Sequence, residues 1–136
     1  MIFVDTSVWF AAADDGDASH DRAVSILSRE ERLVTTDHVL AETWNLMHNR
    51  LGRNAAERFW HEIRRGIASI EIVSAVDLDA AWHIGEDFAD QDFSLTDRTS
   101  FVVMLRLGIE QAASLDQHFA VFRYGPNRQR AFTVLC

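Results

Sequence analysis

The chain has 136 residues, of which 48% are hydrophobic, and a formal net charge of −8. This length fits a single domain covering residues 1–136 and leaves little room for a second one. No apolar run is long enough to cross a membrane, and the acidic balance argues against a protein that coats nucleic acid unspecifically, since such proteins are usually basic.

The start of the chain and its cysteine content bear on location. The segment Met1–Asp5 has no basic region and reaches an acid early, so we expect no signal peptide and a cytoplasmic location. The only cysteine is Cys136. A single thiol excludes a disulfide framework and a cysteine-rich zinc site.

Five short segments are typical of buried parallel strands, because they are nearly continuously apolar or rich in Val, Ile and Phe. They are Ile2–Asp5, Leu33–Thr35, Ile70–Ser74, Ala113–Asp116 and Phe132–Leu135. Helical patterns alternate with these segments. We therefore predict an α/β fold in which helices cover both faces of a parallel sheet.

Five helices are predicted between the strands from apolar residues at helical spacing. Asn54 with Glu57 indicates a capping box, Thr96 a helix N-cap, and Gly52 and Gly108 helix ends. The apolar sides of the helices are Ala23, Ile26 and Leu27; Leu40, Trp44, Met47 and Leu51; Phe59, Trp60, Ile63 and Ile67; Ala80, Ala81, Ile84 and Phe88; and Phe101, Val102, Leu105 and Ile109.

Two of the predicted strands end in an aspartate, Asp5 and Asp116. Ligands of parallel α/β sheets bind outside the carboxyl ends of the strands, so both carboxylates are candidates for a functional site. The alternative for each residue taken alone is that it caps the segment that follows.

Glu42 and Asp97 lie in the early turns of two predicted helices. Glu42 follows the second strand closely enough to reach Asp5, although a lone glutamate on a helix also fits a solvated face. Asp97 follows Thr96 and suits the positive end of a helix dipole. Helix chemistry accounts for each acid separately but not for four acids converging on one edge of a sheet.

A cluster of carboxylates indicates a hard divalent cation. Like charges in close contact raise each other's pKa, and a cation among them removes this cost. Mg²⁺ prefers oxygen ligands and combines a few carboxylates with substrate phosphate. Such an ion provides what phosphodiester hydrolysis requires.

Four pieces of sequence carry a family resemblance. They are Asp5-Thr6-Ser7-Val8-Trp9, Val39-Leu40-Ala41-Glu42-Thr43, Ser94-Leu95-Thr96-Asp97-Arg98-Thr99-Ser100-Phe101 and Leu115-Asp116-Gln117-His118-Phe119. In order and approximate spacing, over nearly the whole chain, they resemble the PIN-domain nucleases, and among these the VapC-type ribonuclease toxins of bacterial toxin–antitoxin pairs.

The resemblance implies a fold, a site and partners. The fold would be a PIN-like three-layer α/β/α arrangement around a short parallel sheet of about five strands. Asp5, Glu42, Asp97 and Asp116 would be the catalytic and metal-binding residues, holding one or two Mg²⁺ or Mn²⁺ ions. Thr6, Ser7 and Ser100 would be supporting hydroxyls. RNA would be the substrate, a small basic-tailed antitoxin protein the inhibitor, and a homodimer the assembly.

One competing family is excluded and two alternatives remain open. A haloacid-dehalogenase-type phosphatase also begins with a strand ending in Asp, but it needs a second Asp where this chain has Ser7. A PIN-like module without catalysis would bind RNA or assemble with partners. A PIN nuclease of RNA processing would share the site but not the toxin role. His118, close to Asp116, is interpreted as a loop histidine rather than a phosphate contact.

Overall fold

A computed structural model describes all residues, 1–136. It contains five strands, β1 (Ile2–Val4), β2 (Leu33–Thr36), β3 (Ser69–Glu71), β4 (Gln111–Ala113) and β5 (Thr133–Leu135). The strands form one parallel sheet in the order β3-β2-β1-β4-β5. The predicted α/β class with a short five-stranded parallel sheet is confirmed.

Seven helices connect the strands. They are α1 (Thr6–Ala13), α2 (His20–Leu27), α3 (Asp37–Leu51), α4 (Arg53–Arg64), α5 (Ala75–Asp87), α6 (Leu95–Leu107) and α7 (His118–Val121), and a 3-10 turn covers Pro126–Arg128. No helix is both long enough and apolar enough to cross a bilayer.

The strand order reverses its direction between β1 and β4. The chain moves outward from β1 through β2 to β3, and then crosses to β4 on the other side of β1. Because such crossovers are right-handed, the reversal puts α1–α4 on one face of the sheet and α5–α7 on the other. The crevice at the carboxyl ends of β1 and β4 is thus the switch point at which α/β sheets bind ligands.

The core is built around β1 and α6. All three residues of β1 are buried, and Phe101 of α6 and Phe119 of α7 are fully buried as well. Phe101 stacks on Phe122 with ring centroids 4.4 Å apart and meets Phe119 edge-on at 5.0 Å. This aromatic packing fixes α7, and the turn before it, against α6.

Three strands end earlier than the sequence predicted. The first was predicted as Ile2–Asp5, but β1 ends at Val4 and Asp5 is the N-cap position of α1. The third was predicted as Ile70–Ser74, but β3 ends at Glu71 because Ser74 is the N-cap of α5. The fourth was predicted as Ala113–Asp116, but β4 ends at Ala113. Ser114 Oγ accepts a hydrogen bond from Asp116 N, which closes a turn directly after the strand.

Several helix details also differ from the prediction. Helix α1 was not predicted. Helix α4 begins after Gly52 without a side-chain cap, so the predicted Asn54–Glu57 capping box is wrong. Ser94, rather than Thr96, caps α6. Trp60 and Ile67, predicted to face inward, are 45% and 40% exposed, whereas the helix ends at Gly52 and Gly108 are confirmed.

An ion pair between a buried aspartate and a partly exposed arginine joins α5 to α6. Asp77 is 2% exposed and receives two hydrogen bonds from Arg106, from Nε at 3.1 Å and Nη2 at 3.0 Å. Burial alone would raise the pKa of Asp77, but the hydrogen bonds from Arg106 and Ser74, together with the charge of Arg106, outweigh burial and lower it. This aspartate is therefore satisfied within the protein itself.

Candidate active site

Asp5 lies directly after β1, at the switch point of the sheet. Its side chain is 6% exposed. Its Oδ2 accepts hydrogen bonds from Ser7 Oγ and Ser114 Oγ, each at 3.0 Å. The two hydroxyls come from α1 and from the end of β4, so neighbouring elements on both sides fix the carboxylate.

The same two serines tie Asp5 to the turn that carries Asp116. Ser7 Oγ accepts a hydrogen bond from Leu115 N at 2.9 Å, and Ser114 Oγ accepts one from Asp116 N at 3.0 Å. Each hydroxyl thus donates to Asp5 and accepts from the turn. Asp116 is held in the crevice although it lies three residues beyond the end of β4.

Asp97 enters the crevice from the first turn of α6. Ser94 and Asp97 form a reciprocal capping box, in which Asp97 N donates to Ser94 Oγ and Ser94 N donates to Asp97 Oδ2, both at 3.0 Å. Asp97 is 7% exposed. The cap fixes the carboxylate at the helix end that faces the sheet edge.

His118, the first residue of α7, contacts two of these acids. Its Nδ1 lies 2.7 Å from Asp97 Oδ2 and 3.4 Å from Asp116 Oδ1, and its backbone N donates to Asp116 Oδ1 at 2.8 Å. One potential ligand atom from each of these three residues lies within 4.8 Å of the others. The interpretation of His118 as an ordinary loop histidine is therefore wrong.

Glu42 is not in contact with the other acids. It is exposed on α3, and its carboxylate makes no hydrogen bond or ion pair. Its neighbour Thr43 donates to Thr6 Oγ at 3.0 Å, so this turn of α3 packs beside the residue that follows Asp5. Ser100 is buried and donates to Thr96 O at 2.7 Å, so its hydroxyl serves α6 itself.

Asp5 is a buried carboxylate with no basic side chain beside it. The pKa of Asp5 is raised from its ordinary value of 3.8 to about 6, chiefly by burial and to a smaller extent by the negative charge of Asp97. Hydrogen bonds from Ser7, Ser114 and Thr6 partly oppose this rise. Asp77, which is also buried, shows the opposite shift because Arg106 neutralises it. Asp5 is therefore a buried carboxylate that no basic side chain neutralises in the way that Arg106 neutralises Asp77.

The donor set of the crevice fits a divalent cation. It offers carboxylate oxygens from Asp97 and Asp116, which suit Mg²⁺ and Mn²⁺. Asp5 lies outside this close group but near enough for the charge of Asp97 to raise its pKa. No other group of three or more His, Cys, Asp or Glu side chains in the protein brings its ligand atoms as close together as Asp97, Asp116 and His118 do. A bound ion would also remove the electrostatic cost at Asp5.

Comparison with known proteins agrees with this geometry. Residues 2–123 match the PIN domain. The chain belongs to the PIN-domain family. The match covers Asp5, Glu42, Asp97 and Asp116, so all four predicted acids lie within the shared domain.

This PIN domain has well-matched relatives. It is 36% identical over 121 residues, 88% of this chain and 92% of the relative, to the 23S rRNA-specific endonuclease VapC20 of Mycobacterium tuberculosis, in strains CDC 1551 / Oshkosh and ATCC 25618 / H37Rv. The crystal structure of M. tuberculosis VapC20, described as a Sarcin-Ricin loop cleaving toxin, superposes with a TM-score of 0.83 at 35% identity. That match covers 88% of this chain and 93% of the VapC20 chain.

Sequence reasoning missed three residues of this PIN domain that contact the acids: Ser94, Ser114 and His118. A signal existed for Ser94, because Ser-x-x-Asp before an apolar helix is a capping pattern. Ser114 gives no such signal, since its contact with Asp5 joins residues 109 positions apart. For His118, the sequence indicates only that it lies two residues after Asp116, and not that it contacts Asp97.

Proposed function

We propose that residues 1–136 form a single metal-dependent endoribonuclease domain, the toxin of a bacterial toxin–antitoxin pair, which cleaves 23S rRNA in the sarcin–ricin loop. The observation that carries this proposal is the convergence of Asp5, Asp97 and Asp116 at the switch point of a PIN domain that is similar over most of its length to an endonuclease of that specificity. Such a substrate implies a cytoplasmic location.

Each residue of the crevice has a role in this proposal. Asp5, Asp97 and Asp116 hold one or two Mg²⁺ or Mn²⁺ ions, Glu42 is the fourth acid, on the turn of α3 that packs beside Thr6, and Ser7 and Ser114 fix Asp5. The ion supplies positive charge that activates water and stabilises the charge on the attacked phosphate. Thr6 and Ser100 support the site indirectly, through α3 and the first turns of α6.

A cleavage assay tests the activity and the substrate together. The purified full chain is incubated with an RNA hairpin containing the sarcin–ricin loop, and with a matched hairpin whose loop sequence is scrambled. We expect one cut within the native loop in Mg²⁺ or Mn²⁺ and none after addition of a chelator. Binding without cleavage would favour the non-catalytic module, and cleavage of other RNAs only would refute the substrate.

We also propose that the protein is a homodimer that buries an apolar surface around the start of α5, here called the α5 face. Leu78 and Trp82, one turn apart on α5, are 41% and 66% exposed, and Ile72, ahead of the helix, is 65% exposed. Such a patch favours burial against a second copy. Light scattering should give twice the chain mass of 15.5 kDa for the wild type and a monomer for Trp82→Glu. A monomeric wild type at high concentration would refute the dimer.

The inhibitor we propose is a small antitoxin with a basic tail. The net charge of −8 and the acids of the crevice attract such a segment, and an arginine there can pair with carboxylates in bidentate fashion. An apolar groove of about 380 Å³ between α1, α2, α3 and α4, lined by Trp9, Met47 and Phe59 among others, fits the hydrophobic part of the contact. In the cleavage assay, the antitoxin should inhibit, and its variant without the arginine should not.

A further inference from the structure

His118 contacts two acids of the crevice through one ring nitrogen. Its Nδ1 lies near two carboxylates from different elements, 2.7 Å from Asp97 Oδ2 and 3.4 Å from Asp116 Oδ1. An imidazole that only oriented Asp97 would face that residue alone. Asp97 Oδ2 also accepts a hydrogen bond from Ser94 N, so the contact with His118 is a second hydrogen bond to an oxygen whose orientation Ser94 already fixes.

The separations also suit shared coordination of one ion. Neighbouring ligand atoms of an octahedral ion with bonds of about 2.1 Å are roughly 3 Å apart. The distances from His118 Nδ1 to Asp97 Oδ2 and to Asp116 Oδ1 lie on either side of this value. Asp97, Asp116 and His118 can therefore adjoin the same ion with small side-chain adjustments.

The imidazole is held in this position by its surroundings. The ring of Phe93, which is 2% exposed, packs edge-on against the ring of His118 at 5.4 Å. The backbone N of His118 is bonded to Asp116. The His118 side chain keeps 30% of its surface exposed, so an ion can reach it from solvent.

From these contacts we infer that His118 is an inner-sphere nitrogen ligand of the metal ion, together with Asp97 and Asp116. This inference rests on the proposed metal-dependent function and deepens it. Mg²⁺ binds chiefly oxygen ligands, whereas first-row transition ions accept imidazole nitrogen readily. The nitrogen ligand thus shifts the preference of the site from Mg²⁺ towards Mn²⁺.

Electron spin-echo spectroscopy of the Mn²⁺-loaded full chain tests the inference directly. A directly bound imidazole produces ¹⁴N modulation of the Mn²⁺ signal. We expect this modulation in the wild type and its loss in His118→Gln. The matched control is His38→Gln, because His38 is another partly buried histidine near this helix end, contacting Thr99 of α6 at 3.3 Å. This control should keep the modulation.

Metal affinities measured by calorimetry complete the test. In His118→Gln, we expect the Kd for Mn²⁺ to rise roughly tenfold and the Kd for Mg²⁺ to change much less. Tight Mn²⁺ binding without ¹⁴N modulation in the wild type would overturn the inference and leave the proposed function standing. Absence of Mn²⁺ and Mg²⁺ binding to the wild type would instead overturn the metal-dependent function, and the inference with it.

Discussion

Replacing Asp97 with asparagine is expected to abolish RNA cleavage while the protein stays folded. Asparagine retains a side-chain oxygen that can accept the hydrogen bond from Ser94 N, so the start of α6 is preserved. It removes one of the negative charges that we propose hold the ion. We expect kcat on the sarcin–ricin hairpin to fall about a thousandfold, on the order of 4 kcal/mol of transition-state stabilisation.

The chain contains a matched control for this substitution. Asp77 is buried like Asp97 and occupies the same third position of a reciprocal capping box, with Ser74 at the start of α5. It pairs with Arg106 and lies outside the crevice cluster. Asp77→Asn should therefore lose stability but keep kcat. The site assignment fails if folded Asp97→Asn cleaves within tenfold of the wild type, or if both variants lose activity equally.

The acids at the switch point were predictable because parallel strands carry all their carboxyl ends to one edge. Asp5 and Asp116 follow apolar segments, and this alone indicates their edge, even though β4 ends three residues before Asp116. The contact of His118 with Asp97 was not predictable in this way. It depends on the packing of α7 against α6 through Phe101 and Phe119, which no local spacing encodes.

Helix α1 was missed for a related physical reason. Its sequence, Thr-Ser-Val-Trp-Phe-Ala-Ala-Ala, is nearly uniformly apolar and has no helical period to detect. The helix has this composition because it is buried beside α2 and α3. In α4 the helical spacing of apolar residues was visible, but the predicted helix was extended too far, to Ile67. The helix ends at Arg64, and Gly66, with φ of 96°, turns the chain so that Ile67 faces solvent.

Replacing Asp5 with asparagine is expected to stabilise the metal-free protein above pH 6 while removing cleavage. Burial raises the pKa of Asp5 from 3.8 to about 6, which means that the folded state disfavours the charged carboxylate. At 1.36 kcal/mol per pH unit, this corresponds to a cost of roughly 3 kcal/mol when the group is ionised. Asparagine avoids the cost, and its oxygen can still accept from Ser7 and Ser114.

The sign of the pH dependence follows from the raised pKa. Above about pH 6, Asp5 is charged in both folded and unfolded states, and the wild type bears the full cost of burying the charge. As the pH falls from 6 towards 3.8, the folded state takes up a proton before the unfolded state does, and the cost disappears. The gain in unfolding free energy of Asp5→Asn should thus be largest near pH 8 and vanish near pH 4, measured by urea unfolding in the presence of a chelator.

Metal binding should reverse the order of stability of the wild type and Asp5→Asn. An ion that binds only the folded state stabilises it, so millimolar Mg²⁺ or Mn²⁺ should raise the Tm of the wild type, and Asp5→Asn should respond weakly. Glu42→Gln, an exposed acid on α3, should change the metal-free stability little at either pH and controls for the loss of one negative charge. If Asp5→Asn proves less stable than the wild type at pH 8 without metal, and metal shifts both proteins equally, then Asp5 is a structural carboxylate and the ion, if bound, lies elsewhere.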